Sequence, residues 1–176
     1  MADFDSICEW ALKFEDSTLS GKVEVLNDGA GATRFGIASH EHPELGGPAS
    51  HFYACPAAEA LGLAKGYYRA WYWNSFMDQV ADDGVASVLF DFSVNSGQSR
   101  AVKVLQGLLN VQQDGDFGYH TLQAVNAYPG SLAAQLRAAR AAWVAQVAQD
   151  HPNDAPYLKG WLRRAAAVFP NGNGVF

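Results

Sequence analysis

Residues 14–16 read Phe-Glu-Asp, and residues 27–37 read Asn-Asp-Gly-Ala-Gly-Ala-Thr-Arg-Phe-Gly-Ile. The first stretch places a carboxylate, Glu15, at the end of an apolar-faced helix predicted for residues 4–15. The second stretch adds a carboxylate, Asp28, and a hydroxyl, Thr33, and it predicts two short strands, 23–26 and 33–37, around a turn. Because Glu15 continues an apolar stripe, we expect desolvation to favour its protonated form.

Each of these residues also has an ordinary structural interpretation. Glu15 could lie just past a helix end and turn to solvent, and Asn-Asp-Gly is common turn chemistry. A phosphate-binding loop is excluded because the Lys-Ser/Thr ending of that motif is missing. The local sequence therefore leaves a structural and a functional interpretation open for Asp28 and Thr33.

The composition indicates a folded protein with a real core. The chain has 176 residues, of which 49% are hydrophobic, and a net charge of −6. An acidic balance argues against nucleic acid as the main partner, since phosphate contacts need a basic surface. There is no apolar run long enough to span a membrane, and the acidic N-terminus lacks the basic start of a signal peptide. The two cysteines, Cys8 and Cys55, are predicted to be free and buried.

The rest of the chain predicts a mainly α (α+β) protein with a small β-hairpin near the N-terminus. Apolar stripes at helical spacing predict helices at 57–73, 85–96, 98–110, 119–127, 131–149 and 157–169. Asp91 and Asn95, near the end of the second of these helices, could be capping residues or could reach into a cleft. Tyr72 and Trp73 end an aromatic run that could be core or a flat stacking surface.

Five segments of the chain follow one another in a recognisable order. Their sequences are Glu15 with the stretch 28–37; Tyr-Arg-Ala-Trp-Tyr-Trp at 68–73; Phe-Asp-Phe-Ser-Val-Asn-Ser-Gly at 90–97; Leu-Gln followed by Asp-Gly-Asp-Phe-Gly-Tyr-His-Thr-Leu within 105–122; and Leu-Lys-Gly-Trp-Leu-Arg-Arg at 158–164. Together they resemble the glycoside hydrolase family 108 muramidases, which include phage endolysins and proteins once called secretion activators. The chain departs from the family pattern in a longer gap between Glu15 and Asp28, with Asp-Ser-Thr at 16–18 in place of Gly-Gly-Tyr, and in Ala30 in place of a glycine.

The resemblance implies a lysozyme-like fold and a peptidoglycan hydrolase. The expected organisation is one domain over 1–176, with a catalytic part at about 1–97 and a helical part at about 98–170 that resembles a peptidoglycan-binding segment. The expected reaction is hydrolysis of the β-1,4 bond between N-acetylmuramic acid and N-acetylglucosamine, which leads to lysis of the bacterial cell wall.

The resemblance also implies roles for particular residues. Glu15 would be the general acid, Asp28 would stay ionised and orient water or stabilise the cation, and Thr33 would help to hold that water. Four further residues are expected to bind substrate: Asp91, Asn95, Tyr72 and Trp73. No cofactor and no metal is expected.

The expected partner is the glycan strand of peptidoglycan, bound by a monomer that neither inserts into a membrane nor binds nucleic acid. We expect the enzyme to be made in the host cytoplasm and to reach the wall through a holin or a secretion system. Two alternatives stay open: a non-catalytic peptidoglycan-binding or phage structural protein with a lysozyme-like fold, and a chitinase- or chitosanase-like glycosidase. The acidic charge favours the first alternative, whereas Glu15, Asp28 and Thr33 together favour the enzyme.

Overall fold

The computed structural model describes residues 1–26 and 31–170, and within these ranges the protein is mainly helical. The helices are α1 (Phe4–Leu12), α2 (His51–Ala54), α3 (Ala57–Tyr72), α4 (Asp83–Ser96), α5 (Gln98–Leu109), α6 (Tyr119–Ala127), α7 (Leu132–Asp150) and α8 (Leu158–Ala165). The strands are β1 (Glu24–Leu26), β2 (Gly31–Arg34) and β3 (Ile37–Ala38), and short 3₁₀ segments lie at Pro43–Leu45, Met77–Gln79 and Pro152–Tyr157. The predicted mainly α class is confirmed.

Helix α1 begins after Asp3, whose carboxylate accepts a hydrogen bond from the Asp5 backbone N–H at 3.1 Å, as expected for an N-cap. The helix ends at Leu12, so the predicted end at residue 15 is wrong. The Glu15 N–H bonds to the Leu12 carbonyl at 3.0 Å, an i−3 bond that tightens the last turn into 3₁₀ geometry. Glu15 therefore lies in a turn after the helix, where its side chain is exposed.

The sheet is a three-stranded antiparallel meander rather than a single hairpin. The strand predicted at 33–37 is interrupted by a two-residue turn, because Phe35 (φ +49°) and Gly36 (φ +77°) both adopt left-handed backbone conformations. Two such residues in a row form the type I′ turn that joins adjacent antiparallel strands. This turn is hard to predict from the sequence, since a bulky side chain such as Phe35 rarely adopts a positive φ.

The described chain separates into two compact units. One unit is Cys8–Trp71 and contains the sheet; the other combines Met1–Ile7 with the chain from Tyr72 onward. In the latter unit α4 is central and is buried on all sides from Gly84 to Ser93. Most of this stretch is apolar, and its polar members Ser87, Asp91 and Ser93 are buried as well. The division of the chain into parts at 1–97 and 98–170 stays a prediction.

The Asp-Gly turn after α5 is organised by one buried amide. The Gln106 side chain donates to Asp114 Oδ1 at 2.7 Å, to the Asp116 carbonyl at 3.0 Å and to Thr121 Oγ1 at 3.1 Å. Its own oxygen accepts the Gly115 N–H at 2.9 Å. A fully bonded buried amide explains why Gln106 and the Asp-Gly turn occur together in the sequence.

The helices predicted for the rest of the chain agree with α3 to α7 within two residues, whereas α8 ends four residues before its predicted end. Helix α2 was not predicted, because a single four-residue turn has no periodicity to detect. Cys8 and Cys55 are both free and buried, as predicted. None of the described helices combines the length and the apolar character that crossing a membrane requires.

Candidate active site

An open cleft lies beside β1 and β2 within the unit Cys8–Trp71. Its volume is about 240 Å³, and its lining residues are Glu15, Asp16, Ser17, Ser20, Lys22, Glu24, Thr33, Phe35 and Gly36. The structure thus brings together two of the three predicted catalytic residues, Glu15 and Thr33. The third, Asp28, lies outside the described residues.

The Glu15 side chain lies directly against the turn between β2 and β3. A Cβ atom placed on Gly36 would be 2.9 Å from Glu15 Cγ and 3.3 Å from its carboxyl carbon, so no larger residue fits there without a shift. The Tyr68 hydroxyl would be 3.0 Å from the same point, and it donates to the Phe35 carbonyl at 2.9 Å. Glycine is therefore required at position 36 both for its backbone conformation and for the approach of Glu15.

Strand β2 presents Thr33 to the cleft by simple alternation. Gly31 and Thr33 are half-buried, while Ala32 and Arg34 between them are buried, as the period of two in a strand requires. Glu24 is paired with Thr33 across the β1–β2 ladder and also lines the cleft. A second exposed carboxylate therefore stands next to the predicted water-holding hydroxyl.

Glu9 is another glutamate that lies near Glu15 in sequence. Its Oε1 is 2.5 Å from Lys65 Nζ, so it is used in an ion pair on α3. Glu24 is instead 3.6 Å from Lys22 Nζ, and both side chains are largely exposed. Exposed pairs of this kind are weak, so Glu24 is a rival to Glu15 in the cleft, whereas Asp16, the third carboxylate of the lining, accepts hydrogen bonds from its own loop.

The loop after Glu15 folds around the carboxylate of Asp16. One oxygen accepts from the Thr18 N–H at 3.2 Å, and the other accepts from Ser20 Oγ at 2.9 Å and from the Gly21 N–H at 2.7 Å. Burial raises the pKa of Asp16, but these hydrogen bonds together outweigh burial and lower the pKa below its ordinary value. An ionised Asp16 therefore gives the loop 16–21 a defined conformation.

Arg34 ties the cleft loop to the rest of its unit, and sequence analysis did not single it out. Its guanidinium is buried and donates to the carbonyls of Gly21 at 2.7 Å, Phe52 at 2.7 Å and Cys55 at 2.9 Å. These bonds connect β2 to the end of the 16–21 loop and to α2. Arg34 lies within the sequence motif that carries Thr33 and Gly36, but the motif alone did not indicate that its side chain would bond to distant carbonyl groups.

Asp91 and Asn95 lie in the other compact unit, and Asp91 is fully buried. Its carboxylate accepts from Arg140 at 2.7 Å and from Arg164 at 2.8 Å. Asn95 is exposed, and its amide donates to the Asp91 backbone carbonyl at 2.6 Å. Asp91 is therefore placed to position two arginines rather than to contact a polymer directly.

Tyr72 and Trp73 belong to the same unit as Asp91. Trp73 is buried, and its ring makes edge contacts with Phe4 at 5.2 Å and with Phe90 at 5.8 Å between centroids. Its indole N–H donates to Asp78 at 2.9 Å. These contacts assign Trp73 to the core, whereas Tyr72 is half-buried and its predicted substrate contact stays a prediction.

Among the described residues, one group could offer three ligands to a metal. Atoms of His51, Cys55 and Glu59 lie within 4.8 Å of one another. His51 and Glu59 are already joined at 2.7 Å, and the Arg34 guanidinium lies 3.8 Å from the Cys55 sulfur. That fixed positive charge opposes a cation, so the group is better explained as a hydrogen-bonded His51–Glu59 pair beside a buried thiol.

The chain was compared with known families and structures. The family model "Glycosyl hydrolase 108" matches residues 13–97, and the model "Predicted Peptidoglycan domain" matches residues 100–166. The solved structure of Brucella abortus SagA is 28% identical, with 90% of each chain covered and a TM-score of 0.62. No curated protein gives a significant match.

These matches bear on the expectations from sequence. The lysozyme-like fold and the assignment as a peptidoglycan hydrolase of muramidase type are confirmed, and the two alternatives are not favoured. Peptidoglycan is the supported substrate, while a monomeric state and the absence of membrane insertion stay predictions. The resemblance to glycoside hydrolase family 108 is thus confirmed over residues 13–97, and residues 100–166 after this segment match a peptidoglycan domain.

Proposed function

We propose that the cleft beside β1 and β2 cleaves the β-1,4 bond between N-acetylmuramic acid and N-acetylglucosamine, with Glu15 as the general acid. The observation that carries this proposal is the contact between Glu15 and Gly36. A tight turn positions the carboxyl group in an open cleft that also contains Thr33. Glycoside hydrolysis needs a proton donor at the leaving oxygen, and a carboxylate or an activated water that attacks the anomeric carbon of the sugar.

In this proposal, the bound substrate provides the environment in which Glu15 acts as an acid. In the free protein the side chain is exposed, so the apolar stripe of α1 does not desolvate it as the sequence predicted. A glycan strand lying in the cleft would cover the carboxyl group and exclude water. Desolvation favours the neutral acid, which is the form that donates a proton to the departing oxygen.

Thr33 supports the second half of the reaction. Its position on the cleft face of β2 suits a hydroxyl that accepts from and donates to an attacking water. We assign to Asp28 the ionised carboxylate that orients this water or stabilises the developing cation. If the water attacks the face opposite the leaving group, the product has inverted anomeric configuration, which proton NMR of the first-formed product measures.

The test is digestion of purified sacculi by the wild type and by Glu15→Gln, with the released fragments identified by mass spectrometry. We expect the wild type to release muropeptides with reducing N-acetylmuramic acid ends and Glu15→Gln to release almost none. Anhydro ends would remove the water-holding role from Thr33 and Asp28. A folded wild-type protein that pellets with sacculi but releases nothing would overturn the proposal in favour of a wall-binding protein.

We further propose that the activity is bacteriolytic and of the endolysin type. The support is the hydrolase segment followed by a peptidoglycan domain in one chain. In this proposal the protein is made in the cytoplasm and acts on the wall after release through a holin or a secretion system. Expression in a bacterium with and without a co-expressed holin tests it: lysis that depends on both the holin and Glu15 supports the proposal, and growth unaffected under both conditions contradicts it.

A further inference from the structure

A second pocket, which we call the arginine pocket, lies in the compact unit that contains α4 to α8. Its volume is about 230 Å³. Its lining residues are Asn95, Ser96, Arg100, Arg140, Trp143, Val144, Val147, Trp161 and Arg164. Most of them fall in the segment that matches the peptidoglycan domain, residues 100–166. Asn95, which the sequence predicted to bind substrate, stands at its edge.

The arginine pocket carries an excess of positive charge. Arg100, Arg140 and Arg164 line it, and all nine lining residues are described and none is acidic. Asp91 beneath the pocket is fully buried and pairs with Arg140 and Arg164. Arg100 lies outside these two pairs, so the lining of the pocket presents guanidinium groups and no carboxylate to an incoming anion.

Arg140 also presents a donor that the described part of the protein does not use. The residue is only 4% exposed, and its Nη1 donates to Asp91 at 2.7 Å. Its Nε–H is buried and has no hydrogen-bond partner among the described residues. A buried donor left unpaired is costly, so Arg140 has hydrogen-bonding capacity beside the pocket that the described residues leave unused.

The walls of the arginine pocket are aromatic and aliphatic. Trp143 and Trp161 are half-buried, as is Val147. The Arg100 guanidinium lies over the Trp143 ring, 5.1 Å from its centroid, and its Nη1 donates to the Ser96 carbonyl at 2.8 Å. This stacking fixes the direction of the guanidinium while leaving other N–H groups available to a ligand. The pocket thus suits a ligand with an apolar body and a carboxylate.

We propose that the arginine pocket binds a free carboxylate of the peptide stem of peptidoglycan. The proposal rests on the proposed function only in taking peptidoglycan as the partner. The glycan backbone offers neutral hydroxyl and acetamido groups, whereas the peptide stems carry carboxylates beside short aliphatic side chains. Arginine recognises carboxylates through paired, charge-assisted hydrogen bonds. The hydrolase would therefore select glycan strands that still bear their peptides.

The test is a binding titration, because the peptide stem contains no glycosidic bond and its binding does not depend on cleavage. The probes are the tripeptide L-alanyl-γ-D-glutamyl-meso-diaminopimelic acid, its fully amidated form, and N-acetylmuramic acid with a free lactyl carboxylate. Tryptophan fluorescence and calorimetry report binding to the full chain. We expect saturable binding of the tripeptide, and binding weaker by about tenfold or more for the amidated form.

Two variants locate the site. Arg100→Gln removes an exposed guanidinium outside the Asp91 pairs, and Val147→Glu places a competing carboxylate inside the pocket; each should weaken tripeptide binding by about tenfold or more. Arg163→Gln is the matched control, because Arg163 is an exposed neighbour of Arg164 that does not line the pocket. Circular dichroism establishes that each variant is folded.

The proposal is overturned if the amidated tripeptide binds as tightly as the acid, or if folded Arg100→Gln and Val147→Glu both bind like Arg163→Gln. Tighter binding of N-acetylmuramic acid than of the tripeptide would also overturn it, because the lactyl group would then be the ligand. Failure of the proposed function looks different. In that case the tripeptide still binds at the arginine pocket, and sacculi remain uncleaved.

Discussion

The cleft beside β1 and β2 and the arginine pocket differ in how their key carboxylates are surrounded: one is exposed and the other is buried. In the cleft, Glu15 is exposed and its side chain lies against Gly36. In the arginine pocket, Asp91 is fully buried and its charge is matched by Arg140 and Arg164. The loss of function and the loss of stability should therefore occur separately at Glu15, whereas a change at the buried Asp91 pairs should lower stability first. Mutations at the two places provide a direct test of this difference.

The largest effect is expected for Glu15→Gln. Loss of a general acid lowers the rate of sacculus hydrolysis by about a hundredfold to ten-thousandfold, while the free energy of unfolding changes by less than about 0.5 kcal/mol because the side chain is exposed. Turbidity assays and urea unfolding measure the two quantities. Glu24→Gln tests the rival carboxylate in the same cleft. If it loses more activity than Glu15→Gln, Glu24 and not Glu15 is the general acid.

Asp91→Asn should show the opposite pattern, with a large loss of stability. It keeps the shape of the side chain but leaves two arginines without their buried counter-charge, and breaking a buried pair in this way costs about 3–5 kcal/mol. Thermal and urea unfolding measure the loss. Asp150→Asn, on an exposed residue at the end of α7, should change stability by less than about 0.5 kcal/mol. A variant Asp91→Asn as stable as this control would refute the structural role.

Gly36→Ala should combine both kinds of effect. The new methyl group meets Glu15 and Tyr68 at about 3 Å, and the left-handed backbone costs about 1–2 kcal/mol for a residue with a Cβ. We expect this loss of stability together with a loss of activity, because Glu15 must move. Gly62→Ala is the control: Gly62 lies in α3 with nothing within 4 Å of an added Cβ, and alanine there should stabilise by about 0.5–1 kcal/mol. Full activity in Gly36→Ala would contradict the placement of Glu15.

The smallest effect concerns the pH dependence of the loop 16–21. Because the pKa of Asp16 is lowered in the folded protein, the ionised carboxylate stabilises the fold above its ordinary pKa, and this contribution disappears as the pH falls through the lowered value. Near neutral pH we expect Asp16→Asn to lose about 1 kcal/mol or less, since the group is partly exposed to solvent.

Melting temperatures of the wild type and Asp16→Asn, measured from neutral to strongly acidic pH, follow this contribution. The two curves should converge in acid. Ser17→Ala, which changes a cleft residue without removing the Asp16 carboxylate, should run parallel to the wild type throughout. A constant gap between wild type and Asp16→Asn at all pH values would show that the charge of Asp16 is not the cause.

The sequence predicted the features that depend on local periodicity. Helices α3 to α6 follow apolar stripes that a 3.6-residue repeat reveals, and the ends of α6 were predicted correctly. It also grouped Glu15 and Thr33, which line one cleft. Their catalytic roles stay predictions, as does the role of Asp28.

The features that the sequence did not predict depend on contacts between distant residues or on rare backbone conformations. Asp91 was interpreted as a capping or cleft residue, because nothing near it in sequence indicates the arginines 49 and 73 positions later. The turn at Phe35 was missed because its φ of +49° goes against the preference of a large side chain. Glu15 is exposed because α1 ends in a turn with i−3 hydrogen bonding. The spacing of apolar residues in the sequence does not reveal such a turn.

The buried pairing of Asp91 bears on how genes for such enzymes can be recombined. Asp91 belongs to the segment 13–97, while Arg140 and Arg164 belong to the segment 100–166. A chimera joined at residue 98 would place Asp91 beside helices from another protein, and a hydrolase segment expressed alone would contain a carboxylate with neither counter-charge. A crossover before α4 keeps Asp91, Arg140 and Arg164 in the same parental segment. The boundary between the two matched segments at residues 97–100 is therefore not the best point for joining parts of two such proteins.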